Sequence, residues 1–217
     1  MQIQAVLFDL DGTLIDSAPG IFNTIEETLA GYHIFPPRES LHRYLGPPLR
    51  DTFADFLPPP AIEDAVAMYR KIYREEGIFE CALYDGVAQM LCTLKQAGFT
   101  LCLATSKPQE FAEIILKRFD VAQYFDVIGG ATFDKSIDTK TAVIKDVLSH
   151  SCMAQKTAVM VGDRDNDMQG AEDCALPAIG VLYGYGGIAE LAAFHPQYLA
   201  KTAEDLQKYL LQFNQIC

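Results

Sequence analysis

The segment Val6–Leu14, which reads VLFDLDGTL, decides the fold of this 217-residue chain. An apolar run from Ile3 to Phe8 leads directly into two carboxylates, Asp9 and Asp11. A buried carboxylate is costly unless it is paired or bound to a cation, so two acids at the tip of an apolar strand indicate a metal ion or a transferable charge nearby. Residues i and i+2 of an extended chain point to the same side, so both acids can reach one site.

The composition limits the kind of protein and the kind of partner. Apolar residues make up 50% of the chain, which is enough for a large core, and the length suits one domain or a domain with a smaller insertion. The formal net charge of -12 argues against a nucleic-acid partner, because binding to phosphate backbones relies on clustered Lys and Arg. A small anionic substrate stays compatible with this charge, since a bound cation can reverse the local sign.

Three sequence features favour a cytoplasmic protein. No apolar run approaches the roughly 20 residues that span a membrane, so no membrane partner is expected. The N-terminus lacks a basic region followed by an apolar stretch, so no secretory signal is expected. The six cysteines form no C-x-x-C pair and are expected to be reduced thiols.

Apolar, β-branched runs that alternate with helical patterns predict the fold class. The predicted strands are Ile3–Phe8, Phe99–Ala104, Tyr124–Ile128, Thr157–Val161 and Ala178–Leu182. The predicted helices are Gly86–Gln96, Pro108–Arg118, Thr139–Leu148 and Met168–Cys174. This alternation indicates an α/β fold, a Rossmann-like parallel sheet with helices on both faces.

Residues 16–83 contain no convincing strand and predict an inserted α-helical cap domain. One helix is expected to begin near Pro19, and another to cover Val66–Glu75. Pairs and triplets of prolines are expected to break the rest into short helices. An insertion rooted beside a site tends to cover that site, so residues 1–15 and 84–217 form the expected catalytic core domain, with hinges near residues 16–19 and 83–86.

Polar side chains follow the predicted strands at the edge of the sheet where ligands collect. The carboxylates, hydroxyls and lysines that share this edge are Asp9, Asp11, Thr13, Thr105, Ser106, Lys107, Lys140 and those of Gly162–Asp167. Oxygen ligands of this kind suit Mg²⁺, with a substrate phosphate completing its coordination shell. The set also contains what phosphoryl transfer needs: a carboxylate nucleophile, a second acid to move a proton, and a lysine that offsets negative charge.

The order of these motifs along the chain resembles that of a known family. The sequence DLDGT at residues 9–13, a strand ending in Thr105-Ser106, a lysine and Gly162-Asp163-x-x-x-Asp167 come in this order. They resemble the motifs of the haloacid dehalogenase superfamily, over essentially the whole chain. Among its subgroups, the chain most resembles the phosphoglycolate phosphatases and the 5′-nucleotidase-like members, which carry a small α-helical cap. The resemblance implies a Mg²⁺-dependent phosphatase.

The resemblance also implies roles for the residues of the first two motifs. Asp9 is the implied nucleophile and a Mg²⁺ ligand. Asp11 is the implied general acid and base, and its backbone carbonyl is implied to face the metal. Thr105 and the backbone N–H of Ser106 are implied to bind the phosphoryl group.

The later motifs supply the remaining implied residues. Asp163 is an implied metal ligand, and Asp167 is either a ligand or a support for one. Lys140 is the implied charge-balancing lysine, although the Gly-Lys-Pro sequence of many relatives is replaced here by Thr-Lys-Thr. Lys135 is its competitor, and Lys140 is preferred because it opens an amphipathic helix.

Two other segments leave alternatives open. Arg50 follows a proline-rigid loop of the insertion, so it is either a contact to a substrate carboxylate or second phosphate, or a solvated surface arginine. The run Gly184–Gly187 hints at a nucleotide loop, but it lacks the G-x-G-x-x-G spacing and is interpreted as a tight turn.

These features predict the hydrolysis of a small phosphomonoester, of the phosphoglycolate or nucleoside 5′-monophosphate type, through an aspartyl-phosphate at Asp9. A phosphomutase of the β-phosphoglucomutase type would share every core residue and pass the phosphoryl group to a sugar. A receiver-like signalling module also holds an aspartyl-phosphate, but it needs neither the second acid nor the helical insertion. The predicted partner is a small phosphorylated metabolite, and the sequence does not predict the oligomeric state.

Overall fold

The computed structural model describes residues 3–134, 136–151 and 157–214. Within these residues the strands are β1 (Ala5–Phe8), β2 (Ile15–Asp16), β3 (Ala82–Leu83), β4 (Thr100–Pro108), β5 (Val127–Ala131), β6 (Ala158–Gly162), β7 (Ala178–Val181) and β8 (Tyr198–Ala200). The α-helices are α1 (Ala18–Ala30), α2 (Leu49–Ala54), α3 (Pro59–Glu75), α4 (Val87–Gln96), α5 (Gln109–Arg118), α6 (Lys140–Ser151), α7 (Asp165–Asp173), α8 (Ile188–Ala192) and α9 (Ala203–Leu211). Short 3₁₀ helices cover Arg38–Tyr44, Gly77–Phe79, Ala122–Tyr124 and Gln212–Asn214.

The main sheet is six-stranded, in the order β5-β4-β1-β6-β7-β8. Its neighbouring strands are parallel, and β1 lies between β4 and β6. All residues of β1 are buried, which is why it reads as an uninterrupted apolar run. The predicted α/β fold with a Rossmann-like parallel sheet is therefore confirmed.

Several details of the sheet differ from the prediction. The strand predicted over Phe99–Ala104 is β4 at Thr100–Pro108. The strand predicted over Tyr124–Ile128 is β5 at Val127–Ala131, and Ala122–Tyr124 is a 3₁₀ helix. This strand continues through Gly129 and Gly130. A side chain at Gly129 would overlap Val147, and one at Gly130 would overlap the backbone at the end of β4. Strand β8 was not predicted, because its three apolar residues are shorter than the run that marks a buried strand.

Helix α6 covers one face of the sheet. Because side chains alternate between the faces of a strand, Ala5 and Leu7 of β1 point the same way. They pack with Val143, Ile144 and Val147 of α6 in one buried cluster. The packing of α6 onto the sheet also fixes the position of its first residue, which matters for the site below.

The chain divides into two compact units: a core unit, Met1–Ile15 with Leu83–Cys217, and a cap unit, Asp16–Ala82. Within the cap unit, α1 packs against α3 and against the 3₁₀ turn that follows α3. Gly20 of α1 makes this close approach possible, because a side chain there would overlap the carbonyl group of Gly77. The described secondary structure inside the cap unit is helical apart from the single strand residues at its two ends.

The proline runs of the cap unit lie at the starts of its helices. Helix α3 spans Pro59–Glu75, so it begins well before the predicted Val66. The proline runs divide the segment into separate helices as expected, since Arg38–Tyr44, α2 and α3 each begin at or directly after one of them. Only the predicted start of α3 is wrong, because Pro59 and Pro60 occupy its first turn. The N–H groups of a first turn have no partner within the helix, so replacing them with proline costs no helical hydrogen bond.

Two sequence expectations concern thiols and membranes. Cys81, Cys92, Cys102 and Cys174 are free thiols, whereas Cys152 and Cys217 lie outside the described residues. Among the helices of the described ranges, none combines the length and the apolar character needed to cross a membrane.

Candidate active site

The candidate site lies at the carboxyl end of β1, between the ends of β4 and β6. The backbone N–H of Asp9 donates to the carbonyl oxygen of Val161 at 2.9 Å, which continues the pairing of β1 with β6 by one residue. The Asp9 side chain is held at this edge and is buried. The central place of β1 in the sheet therefore brings Asp9 next to residues at the carboxyl ends of two other strands.

Three carboxylates meet at this edge. One oxygen from each of Asp9, Asp163 and Asp167 lies within 4.8 Å of the others, and all three residues are buried. Asp163 is fixed by two donors: Thr13 Oγ1 lies 3.1 Å from its Oδ1, and the backbone N–H of Tyr185 lies 2.7 Å from its Oδ2. Four residues were predicted to hold a metal: Asp9, Asp11, Asp163 and Asp167. The structure brings the side chains of three of them together, those of Asp9, Asp163 and Asp167.

Asp167 closes the loop that carries Asp163. The Oδ2 atom of Asp167 accepts hydrogen bonds from the backbone N–H groups of Asp163 at 3.1 Å and Arg164 at 3.0 Å. A side chain at Gly162 would overlap Asp167. Likewise Gly12, with a φ of 83°, lies where a side chain would overlap the carboxylate of Asp163. The glycines beside these acids are therefore required by the close packing of the loops.

Lys140 is the buried cation of the cluster. Its Nζ lies 2.8 Å from Oδ1 of Asp9 and 2.7 Å from Oδ1 of Asp167, and it donates to the carbonyl oxygen of Ala104 at 3.0 Å. The stem of the lysine passes close to Gly170 of α7, where a Cβ would lie 2.7 Å from Cγ of Lys140. The competing residue, Lys135, lies outside the described residues.

Burial and mutual repulsion shift the pKa values of this cluster. Burial raises the pKa of Asp9 to about 6, with Lys140 opposing the shift and Asp167 adding to it. Burial and the charges of Asp167 and Asp9 also place the pKa of Asp163 well above its ordinary value. Burial alone would lower the pKa of Lys140, but the carboxylates of Asp167 and Asp9 outweigh it and raise that pKa.

The donor set fits a hard divalent cation. Three buried carboxylates face one buried ammonium group, so ionising all three leaves an excess of negative charge in a site of low dielectric. Oxygen ligands in small number are the arrangement in which proteins hold Mg²⁺. Asp9, Asp163 and Asp167 could therefore hold such an ion.

Asp11 has a different environment from the three clustered acids. Its Oδ1 accepts a hydrogen bond from Nζ of Lys107 at 3.0 Å, and its side chain is partly exposed. Its implied metal contact is through the backbone carbonyl and stays a prediction. The side chain of Asp11 is therefore engaged by Lys107, a residue that the sequence placed at this edge without a role.

The two residues predicted to bind the phosphoryl group follow β4's apolar run. Thr105 is buried, and its Oγ1 accepts a hydrogen bond from the backbone N–H of Lys107 at 3.2 Å. Ser106 is half-buried. Both lie at the expected end of the sheet, and their roles stay predictions.

Arg50 lies on α2 of the cap unit, where it binds Glu63. Its Nε lies 2.5 Å from Oε1 of Glu63 and its Nη2 2.6 Å from Oε2. The guanidinium group therefore has a carboxylate partner within its own unit. A role in substrate binding stays a prediction.

The loop after β7 supplies a contact that the sequence did not reveal. The turn interpreted at Gly184–Gly187 carries the Tyr185 N–H that binds Asp163. A side chain at Gly184 would overlap the side chain of Asp163, and one at Gly186 would overlap its backbone, so this loop packs closely against Asp163. Gly184 and Gly186 were the sequence signal for this close packing. The N–H donor itself could not be predicted, because nearly every residue has a backbone N–H group.

Comparison with known proteins places this geometry in a family. The sequence profile of the haloacid dehalogenase-like hydrolases matches residues 6–181. A 5′-nucleotidase from Pseudomonas aeruginosa is 34% identical over 208 residues, which cover 94% of each chain. A tyrosine-protein kinase PtkA from Mycobacterium tuberculosis is 36% identical over 184 residues, which cover 84% of this chain and 63% of PtkA. The crystal structure of a predicted phosphatase from Clostridium acetobutylicum has a TM-score of 0.92 and 37% identity, and the match covers 98% of this chain and 100% of that one.

The chain therefore belongs to the haloacid dehalogenase-like hydrolase family. Its class of enzyme is the phosphoric monoester hydrolases, and other relatives carry the names pyrophosphatase and phosphoglycolate phosphatase. The family and the enzyme class expected from the sequence are both confirmed.

Proposed function

We propose that this chain is a Mg²⁺-dependent phosphatase that hydrolyses a small phosphomonoester through an aspartyl-phosphate at Asp9. The observation that carries the proposal is the buried cluster in which Asp9 lies 2.8 Å from Lys140 and close to Asp163 and Asp167. A carboxylate beside a fixed ammonium group can approach an anionic phosphate, because the ammonium offsets their repulsion.

In the first half-reaction, a carboxylate oxygen of Asp9 attacks phosphorus. An O–P bond to Asp9 forms while the bond from phosphorus to the leaving oxygen breaks. The carboxyl group of Asp11 gives its proton to that leaving oxygen, so the alcohol departs neutral.

In the second half-reaction, a water molecule attacks the phosphorus of the aspartyl-phosphate. The Asp11 carboxylate takes the proton of the attacking water, and the bond between phosphorus and Asp9 breaks. Inorganic phosphate leaves, and Asp9 and Asp11 return to their starting forms. Asp11 thus serves as acid and then as base in one turnover.

The other residues bind and neutralise the phosphoryl group. Lys140 holds a positive charge next to Asp9, and we assign Thr105 and the backbone N–H of Ser106 to the phosphoryl oxygens. A Mg²⁺ ion held by Asp9, Asp163, Asp167 and the carbonyl of Asp11 would supply further positive charge against the phosphate dianion.

The substrate class is proposed from the relatives and from the cap. Relatives named 5′-nucleotidase and phosphoglycolate phosphatase support a nucleoside 5′-monophosphate or phosphoglycolate. The cap unit would select the alcohol part of the ester, with Arg50 as the candidate contact to a second anionic group. A cytoplasmic location fits a small phosphorylated metabolite and remains part of the proposal.

The test is the substitution Asp9→Asn, measured as phosphate release from phosphoglycolate, nucleoside 5′-monophosphates and sugar phosphates. We expect no release from any ester, because the amide is not a nucleophile. Asp120→Asn makes the same change at an exposed turn of the core unit, at a φ of 54° that asparagine tolerates, and should keep full activity.

Other outcomes would contradict the proposal in distinct ways. Substantial phosphate release by Asp9→Asn would rule out the covalent mechanism. A bisphosphorylated sugar that accumulates in the wild type would indicate a phosphomutase. Slow turnover with a long-lived phosphoryl group on Asp9 would indicate a receiver-like module.

A further inference from the structure

Lys107 connects the end of β4 to the turn after β1. Its Nζ lies 3.0 Å from Oδ1 of Asp11, and the two side chains are 6% and 20% exposed. A lysine side chain loses considerable conformational entropy when it is buried, so it is ordered only where its ammonium group gains a partner. Here one partner is Asp11, to which the proposed function gives the proton transfer.

The position of Lys107 is set by the sheet. The register pairs Phe8 of β1 with Leu103 of β4, so the residues that follow these two positions lie side by side. The backbone N–H of Lys107 also donates to Oγ1 of Thr105, which fixes the start of the lysine side chain. The pairing of strands therefore presents the ammonium group to Asp11.

Asp11 needs a partner to hold its carboxyl group in one orientation. It is followed by Gly12, and its carboxylate is not among the three that cluster around Lys140. Errors of about 1 Å in the placement of a catalytic group can cost roughly 100-fold in rate. A general acid on a turn therefore depends on whatever fixes its side chain.

We propose that Lys107 is a positioning residue that holds the Asp11 carboxyl group in the orientation needed to transfer a proton to the leaving oxygen. The inference rests on the proposed function, because it takes Asp11 as the general acid and base. Lys107 acts through Asp11 and not on the reacting atoms.

Two esters with different leaving groups separate this role from simple charge neutralisation. A lysine that only offset the charge of the phosphoryl group would affect both esters alike, since the phosphoryl group is the same. A lysine that positions the general acid matters most where the leaving oxygen needs a proton. Phenyl phosphate needs that proton more than p-nitrophenyl phosphate, whose nitrophenolate leaves readily, and the two rings are of similar size.

The experiment measures kcat/KM for both esters, with Mg²⁺, in the wild type and in Lys107→Met. We expect phenyl phosphate hydrolysis to fall roughly 10-fold more than p-nitrophenyl phosphate hydrolysis, a part of the 10²–10⁴ that general acid catalysis supplies. Asp11→Asn should show the same preference for the better leaving group. The double variant should show no greater preference than Asp11→Asn alone.

Two further variants serve as controls. Lys107→Arg should restore part of the lost activity on phenyl phosphate, because a guanidinium group can still donate to Asp11. Lys117→Met makes the same change on the exposed face of α5 and should leave the ratio of the two esters unchanged. Thermal unfolding of each variant checks the fold, and Lys107→Arg carries the comparison if Lys107→Met does not fold.

An equal loss on both esters, or an unchanged ratio, would overturn the inference while leaving the proposed function intact. Activity that survives Asp9→Asn would instead remove the proposed function. The two failures are therefore distinguishable by different variants.

Discussion

Each of the two units of this chain contains a contact between a cationic side chain and a carboxylate, and the two contacts are similar in length. In the core unit, Nζ of Lys140 lies 2.8 Å from Asp9 and 2.7 Å from Asp167. In the cap unit, Arg50 binds Glu63 at 2.5 and 2.6 Å. The Lys140 side chain is 3% exposed, whereas those of Arg50 and Glu63 are 36% and 65% exposed.

Burial, and not distance, determines what each contact contributes. Removing one partner of a buried pair leaves an uncompensated charge and costs about 3–5 kcal/mol, whereas an exposed pair contributes about 0–1 kcal/mol. Lys140 is therefore fixed to its carboxylates, as the catalytic role proposed for it requires. Arg50 can leave Glu63 for another anion at little cost, as the substrate contact proposed for it requires.

The largest expected effect follows from removing the buried cation. Lys140→Met should lower the free energy of unfolding of the metal-free protein by about 3–5 kcal/mol, because Asp9 and Asp167 lose their common partner. It should also lower kcat by at least about 100-fold, because the proposed function gives Lys140 the stabilisation of charge at the phosphoryl group. Urea unfolding at pH 7 and phosphate release measure the two effects.

Lys117→Met is the matched control for stability. Lys117 is exposed and pairs with Glu113 along α5, so its removal should change the free energy of unfolding by less than about 0.5 kcal/mol. Equal losses of unfolding free energy in Lys140→Met and Lys117→Met would show that burial does not determine how much each ion pair contributes to stability.

The next effect is a pH dependence of stability in the metal-free protein. The pKa of Asp9 is about 6 in the folded state against an ordinary value of 3.8, so the folded state binds more protons between these values. The free energy of unfolding therefore falls as the pH rises from about 4 to about 6, by about 3 kcal/mol from this residue. Asp163, whose pKa is also raised, acts in the same direction.

Urea unfolding from pH 4 to pH 7, without metal, measures this dependence. Asp9→Asn should weaken the dependence of the free energy of unfolding on pH by the part that comes from Asp9. Saturating Mg²⁺ should weaken this dependence in the wild type, because the ion binds the ionised carboxylates. A stability difference between wild type and Asp9→Asn that stays constant over this pH range would contradict the assignment.

The fold could be predicted where burial leaves a direct trace in the sequence. Strand β1 is buried on both faces, so its apolar run identified it and the parallel sheet around it. Strand β5 was misplaced because Gly129 and Gly130 look like a turn, although they allow the strand to pass close to its neighbours. The start of α3 was predicted too late because its first turn contains Pro59 and Pro60, and proline is compatible with a first turn.

For the candidate site, the sequence predicts which residues share an edge of the sheet. Their pairwise contacts could not be predicted, because these depend on register and on backbone donors. The contact between Lys107 and Asp11 depends on the pairing of β1 with β4. The bond from Tyr185 to Asp163 uses a backbone N–H, which any residue except proline offers.

The smallest expected effect on stability belongs to the exposed pair, and it tests whether the pair has a function. Glu63→Gln should change the free energy of unfolding by less than about 1 kcal/mol. Arg50→Ala should raise KM for phosphoglycolate roughly 10-fold, the loss expected for a hydrogen bond to a charged group, and leave KM for phenyl phosphate unchanged. Glu63→Gln should lower KM for phosphoglycolate, because the carboxylate that competes for Arg50 is gone. If neither variant changes KM for phosphoglycolate relative to phenyl phosphate, Arg50 is a surface residue with no role in substrate binding. Of the two contacts compared, only that of Lys140 would then have a proposed role in the reaction.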